Sequence, residues 1–188
     1  MNIVPFNIDG LFLLSPGRFG EDRGYFAESR SRQVLLQNGI DIEVVHDCRT
    51  LLRQAGTVRG LHFQRPPHVQ AKLVGCGLGR LFCVAVDLRR GSPTYSRWTG
   101  VELSEDDGLQ FFIPSGFAHG FVTREPDTEI VYRCSGNSAP DGDGVIFWND
   151  PAIGIDWGIS DPTALSAKDA AAPLLVGFDS PFLWEGAR

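Results

Sequence analysis

Apolar residues in this chain come in short runs of β-branched and aromatic side chains, cut every few positions by Gly, Pro, Asn or Asp. That pattern predicts strands. They are expected over residues 43–46, 57–64, 70–75, 80–87, 97–102, 109–113, 120–123, 129–134 and 145–148. Helical periodicity is rare; the best case spans 30–38, where Gly39 supplies a C-terminal stop. Many short strands at regular spacing predict a mainly β sandwich or barrel with short helices. From residue 150 onward the chain is loop-rich and is expected to wrap over the barrel. No repeat or domain boundary interrupts it, so one domain is expected over 1–188.

Alternation within strands says more. Across 81–88, one face carries Phe82, Val84, Val86 and Leu88; the other carries Leu81, Cys83, Ala85 and Asp87. A face of mostly small side chains leaves room for a ligand inside a barrel. Thr128, Ile130, Tyr132 and Cys134 share a face of the strand near 129–134, which lets the Tyr132 hydroxyl project into such a cavity.

With 188 residues, a core forms without disulfides or structural metal. The net charge of -6 argues against nucleic acid as a partner, while leaving room for a small anionic ligand held by a few convergent basic residues. The first residues lack a basic stretch followed by an apolar run, so no signal peptide is expected. No apolar run reaches membrane-spanning length, and a cytoplasmic protein with no membrane partner is expected. Cys48, Cys76, Cys83 and Cys134 lack metal-ligand spacing; buried reduced thiols are the expectation.

The histidines are the first candidates for chemistry. His62 sits in RGLHFQ and His119 in PSGFAHGF; His46 and His68 read as ordinary core or surface histidines. Phe63 and Gln64 follow His62, so there is no His-x-His pair, and no His-Glu-x-x-His run exists. No metal is therefore expected. Acid–base chemistry is the natural use of a strand histidine in a cavity, with Tyr132 and Lys72 as further groups by strand position alone.

Six stretches carry a more specific signal: DRGYFAES (22–29), VRGLHFQ (58–64), QAKLV (70–74), VAVDLR (84–89), IPSGFAHGF (113–121) and WNDP (148–151). In order and spacing they resemble the dTDP-4-dehydrorhamnose 3,5-epimerases from about residue 5 to residue 176. The resemblance implies a cupin-type jelly-roll barrel, a homodimer, no cofactor or metal, and a nucleotide-sugar substrate in 6-deoxysugar synthesis. It implies inversion of C3 and C5 of a 4-keto-6-deoxyhexose nucleotide, leading from dTDP-4-dehydro-6-deoxy-D-glucose to dTDP-4-dehydro-L-rhamnose. It also implies roles: His62 as base, Asp169 as the carboxylate orienting it, Tyr132 as acid on the opposite sugar face, and Lys72 beside the C4 oxygen. Arg23 and Arg59 match phosphate-binding positions, Phe26 and Glu28 lie near the nucleotide base, and His119 matches a further site residue.

These residues also have plainer readings. Asp169 lies three after Ser166, which fits a helix cap; Tyr132 fits a buried tyrosine with a structural hydrogen bond, and Lys72 a solvated strand lysine. The chain also departs from the family: the usual Gln-Asp-Asn reads His46-Asp47-Cys48, and a tyrosine pair reads Asn137-Ser138. Rival functions are a single-centre C3 or C5 epimerase, a nucleotide-sugar 3,4-ketoisomerase, and a non-catalytic sugar-binding cupin.

Overall fold

The computed structural model describes residues 1–186, and of Glu21 the backbone alone. The last two residues of the expected 1–188 domain lie outside the described ones. Two antiparallel sheets face one another. The first has six strands in the order β1 (Asn2–Pro5), β2 (Phe12–Ser15), β10 (Gln110–Ile113), β7 (Lys72–Leu78), β12 (Thr128–Cys134), β5 (His46–Leu52). The second has five, ordered β13 (Asp143–Val145), β6 (Val58–Gln64), β11 (Phe117–Thr123), β8 (Arg80–Asp87), β9 (Trp98–Ser104). A separate hairpin pairs β3 (Arg18–Glu21) with β4 (Gly24–Ala27). This is the mainly β jelly-roll arrangement expected.

The alternation along β8 decides which way its side chains go. Leu81, Cys83 and Ala85 enter the space between the sheets, where they join Val74, Phe111, Phe121 and Ile130. Val84, Val86 and Leu88 point the other way, under a covering made by Trp148, Ile153, Ile155, Trp157, Leu175 and Phe182. The loop-rich end of the chain therefore wraps the back of the second sheet. With both faces covered, every residue of β11 is buried. Helix α1 (Arg32–Gln37) lies within the predicted 30–38 segment and lays Leu35 with Ile40 and Ile42 on Leu14, Leu73 and Phe112.

Four strands, β1 to β4, were not expected, and several expected strands have other bounds: the one expected at 70–75 is Lys72–Leu78, and the one expected at 120–123 begins at Phe117. Residues 43–45 lie in no strand, and the strand there begins at His46. Val44 instead packs beside Ile42 in the cluster under α1. The strand expected at 145–148 starts earlier, at Asp143, and after Ile146 pairs with Leu61 the chain turns into the wrap.

Candidate active site

Between the sheets, toward one end, opens a cavity of about 220 Å³. Its floor comes from three neighbouring strands of the first sheet. Lys72, Cys134 and His46 lie opposite one another in one row across β7, β12 and β5, with Val74, Tyr132 and Cys48 in the next. Its facing wall comes from β6 and β11, which bring Arg59, His62, His119 and Phe121 to the same space.

The wall depends on a close approach of backbone. An ideal Cβ on Gly60 would sit 2.6 Å from the Gly120 Cα, and Gly60 has φ +132, a conformation side chains rarely adopt. Between His62 and Arg59 the register against β11 slips, as in a β-bulge. The irregularity also turns the Gly60 N–H toward Asp169 Oδ2, at 3.4 Å.

His62 Nε2 lies 2.6 Å from Asp169 Oδ1. Asp169 sits on α2 (Ala167–Ala170) and is only 1% exposed. Burial pushes its carboxyl up, but the hydrogen bond and charge of His62, with Gly60 and Ser166, hold it below the usual carboxylate range. Ionised, Asp169 accepts only, so Nε2 donates in this bond; whenever the imidazole is neutral, Nδ1 is the nitrogen open to take a proton. The capping reading of Asp169 holds for its backbone: Ser166 Oγ accepts from the Asp169 N–H at 3.0 Å. Its carboxylate also turns to β6, onto His62 and the Gly60 N–H.

Tyr132 faces this pair from the other sheet. Burial raises its hydroxyl well above the ordinary tyrosine value, which keeps the proton on the oxygen. His119 bridges the two walls: it pairs with His62 in register and meets the Tyr132 ring edge-on, centroids 5.9 Å apart. Burial first, then the charges of Lys72, His62 and Arg59, lower its pKa well below the usual histidine value. Its buried Nε2 has no partner among the described residues. Burial likewise lowers the Lys72 ammonium, with Cys134, Asp143, Cys83 and Cys48 pulling it back. An imidazole, a protonated phenol and an amine thus surround one small space.

Comparison with known proteins gives this arrangement its context. Residues 5–176 match the model of the family described as dTDP-4-dehydrorhamnose 3,5-epimerase. The chain belongs to that family. A dTDP-4-dehydrorhamnose 3,5-epimerase of Sinorhizobium fredii is 47% identical over 163 residues, covering 87% of this chain and 84% of that one. A dTDP-6-deoxy-D-glucose-3,5-epimerase from Legionella pneumophila, solved in complex with dTDP-4-keto-L-rhamnose, superposes with a TM-score of 0.92 at 38% identity, covering 98% and 99%. A 3'-monoepimerase from Streptomyces bikiniensis, in complex with dTDP-quinovose, superposes at 0.85 with 30% identity, covering 92% and 87%.

Not every residue that the epimerase family implicates stands in the cavity. His62, Lys72, Tyr132, Arg59 and His119 line it, with Asp169 behind His62. Arg23, Phe26 and Glu28 do not. All three are exposed on or beside the β3–β4 hairpin, away from the cavity lining. His46, expected to be an ordinary histidine, lines the cavity instead, and His68 is exposed outside it. Thr50, Gln70, Phe121 and Cys134 line the cavity without having been singled out as site residues. For Cys134 the signal was present: it shares a strand face with Tyr132. Cys83 and Cys134 are buried as expected, whereas Cys48 and Cys76 are partly exposed. Among the described residues, no three His, Cys, Asp or Glu side chains converge as a metal-binding group.

Proposed function

We propose that this chain, acting as one domain and without metal, inverts C3 and C5 of dTDP-4-dehydro-6-deoxy-D-glucose to give dTDP-4-dehydro-L-rhamnose. The observation carrying the reading is the His62–Asp169 pair on one wall of a cavity whose other wall presents Tyr132. A proton α to the C4 ketone is acidic because its removal spreads charge onto the carbonyl oxygen. His62 Nδ1 takes that proton, and Asp169 steadies the imidazolium that results. Lys72 stands against the developing enolate oxygen. Tyr132 then delivers a proton from the opposite face, which inverts the carbon. Arg59 holds the diphosphate, for which a guanidinium fork is well shaped, and neutral His119 donates to a substrate oxygen.

The active form in this reading is a homodimer. Phe19, Tyr25 and Phe26 are 65%, 58% and 69% exposed on a hairpin that belongs to neither sheet. A second copy that receives this hairpin at its cavity mouth would gain Arg23, Phe26 and Glu28 for the nucleotide. That supports the roles the family resemblance implies for them. Among the described residues no helix is long and apolar enough to cross a membrane; a cytoplasmic enzyme fits a nucleotide-sugar substrate.

NMR of the 4-keto-6-deoxyhexose nucleotide in D2O with the enzyme tests the reading. Deuterium at both C3 and C5 is expected. Label at C3 alone would favour the second reading, a monoepimerase, for which the 30% identity to the Streptomyces bikiniensis enzyme speaks. No label at either carbon would leave a binding protein.

A further inference from the structure

Asp143 takes no direct part in the chemistry above, yet it touches both elements that carry the catalytic pair. It opens β13, the edge strand beside β6, where Asp143 pairs with Gln64 and Val145 with His62. Its Oδ1 accepts from Gln64 Nε2. Its Oδ2 accepts from Lys168 Nζ at 2.8 Å. Gln64 follows His62 by two positions and so shares its face of β6; Lys168 immediately precedes Asp169 on α2.

A helix of four residues has no stability of its own. The chain around α2 is tied down on either side, where Ala164 O accepts from Val58 N at 3.0 Å and Pro173 O from Phe147 N at 2.8 Å. Between these anchors, Lys168 supplies a side-chain tie from α2 to the sheet besides those of Asp169 itself, to the Gly60 N–H and to His62. That bond is 2.6 Å long, so a small drift of α2 breaks its geometry.

We propose that Asp143 is a positioning residue: through Gln64 and Lys168 it clamps α2 against β6 and so holds Asp169 in line with His62. The proposal rests on the reading of His62 as the base. Side-chain exposures of 52% for Lys168 and 41% for Asp143 mean that the pair contributes little to stability. Positioning and folding are therefore separable by experiment.

The variants are Asp143→Ala, Lys168→Ala, both together, and Asp143→Asn, which keeps one acceptor oxygen. Each is read by kcat and KM, by melting temperature, and by the imidazole N–H proton signal of the substrate-free enzyme, assigned to His62 by its loss in His62→Asn. Each alanine variant is expected to lower kcat by about two- to fivefold with KM held within about twofold. The double variant falls no further than either single, because both cut one tie. Asp143→Asn recovers part of the loss. The His62 signal shifts or broadens in the alanine variants while melting temperature stays within a few degrees. Wild-type kcat in Asp143→Ala, an unmoved His62 signal, or losses that multiply in the double variant would each overturn the proposal. Since the imidazole signal is read without substrate, it decides the positioning role even if the assumed epimerisation proves wrong. That reading fails separately, by absence of solvent exchange in the wild type.

Discussion

Asp169 serves two neighbours at once: its carboxylate meets His62, 107 positions away, at 2.6 Å, while its own N–H is capped by Ser166 at 3.0 Å. The helix cap and the proposed catalytic pair are therefore one construction. The cap sets the direction of a four-residue helix, and the helix sets the carboxylate behind the His62 imidazole.

The two functions separate by mutation. Asp169→Asn is expected to lower kcat by about 10²–10⁴-fold, since an amide neither fixes the Nε2 tautomer nor balances the imidazolium. Ser166→Ala removes a cap worth about 1 kcal/mol, a fall of roughly 2–4 °C in melting temperature for a chain of this size, with a far smaller effect on kcat. His62→Asn removes both turnover and solvent exchange. If Asp169→Asn keeps near-normal turnover and only melts earlier, the carboxylate is a cap and nothing more.

Tyr132→Phe distinguishes proton removal from proton delivery. Base and acid stand on facing sheets, so His62 is still able to take a proton and return it to the face it came from. Exchange of substrate hydrogen with D2O is expected to persist while inverted product falls. Equal loss of both would take the opposite-face role away from Tyr132.

How far the fold was legible varies by strand, for physical reasons. β8 is buried almost throughout, so its sequence is apolar over nearly its whole length and stands out as a strand, whereas β11, fully buried, is legible only from Gly120 because His119 and Gly120 interrupt its apolar run. β5 did not stand out. His46, Cys48 and Thr50 face a polar cavity, Asp47, Arg49 and Leu51 face solvent, and neither face looks like a core. The β3–β4 hairpin is unreadable for the opposite reason: its aromatic residues are exposed within one chain, so they mark no interior. Within the site, His62 and Tyr132 were found by motif and strand position. The pairing of Asp169 with His62 rested on family resemblance, because local spacing supports only the cap. Asp143 gave no signal, since its partners Gln64 and Lys168 are 79 and 25 positions away.

The homodimer has a direct test by complementation. Arg23→Ala/Phe26→Ala and His62→Asn are each expected to be weak or dead as pure samples. If one copy's hairpin completes the other's cavity, a mixed dimer holds one site with both defects and one with neither. Unfolding and refolding the two variants together should restore activity to about a quarter of wild type, since half the dimers are mixed and each has one sound site. No recovery in a mixture that forms dimers would place the hairpin in its own chain's site.

Lys72 is expected to set the alkaline limit of activity. Burial lowers its pKa, so the free enzyme loses the ammonium at a pH below the ordinary lysine value of 10.5. The activity that needs a charged Lys72 is present at lower pH and disappears as pH rises through that lowered pKa. The limb of kcat/KM, which reports free enzyme, is expected below 10.5. The limb of kcat should lie higher, because an anionic substrate bound beside Lys72 favours the cation. Lys72→Arg, charged throughout, is expected to lower kcat and push the limb to higher pH. A limb that stays put in that variant belongs to another group.

Base selectivity is where this sequence departs furthest from its family, and the structure puts the departures at the cavity. His46, Cys48 and Ser138 line it directly, and Asn137 is exposed nearby, its carbonyl accepting from Gln70 Nε2 at 2.7 Å. Small polar side chains at these positions offer little surface for a base to stack on. Loss of an aromatic stack removes on the order of 1–3 kcal/mol, by analogy with base–aromatic contacts in other proteins. Arg59, at the cavity, remains to hold the diphosphate, which every nucleotide shares. Affinity is therefore expected to rest on phosphate more than on base, with dTDP favoured over UDP or CDP by less than about tenfold. Calorimetry with dTDP, UDP, CDP and GDP measures this. Cys48→Asn together with Ser138→Tyr, which restores an amide and an aromatic ring, should tighten dTDP by about 5–100-fold if that energy is recovered, with UDP and CDP gaining much of the same stacking. A wild-type preference for dTDP of a hundredfold or more would show that His46, or Phe26 from a second copy, already supplies the missing surface, and a preference for another base would change the substrate itself.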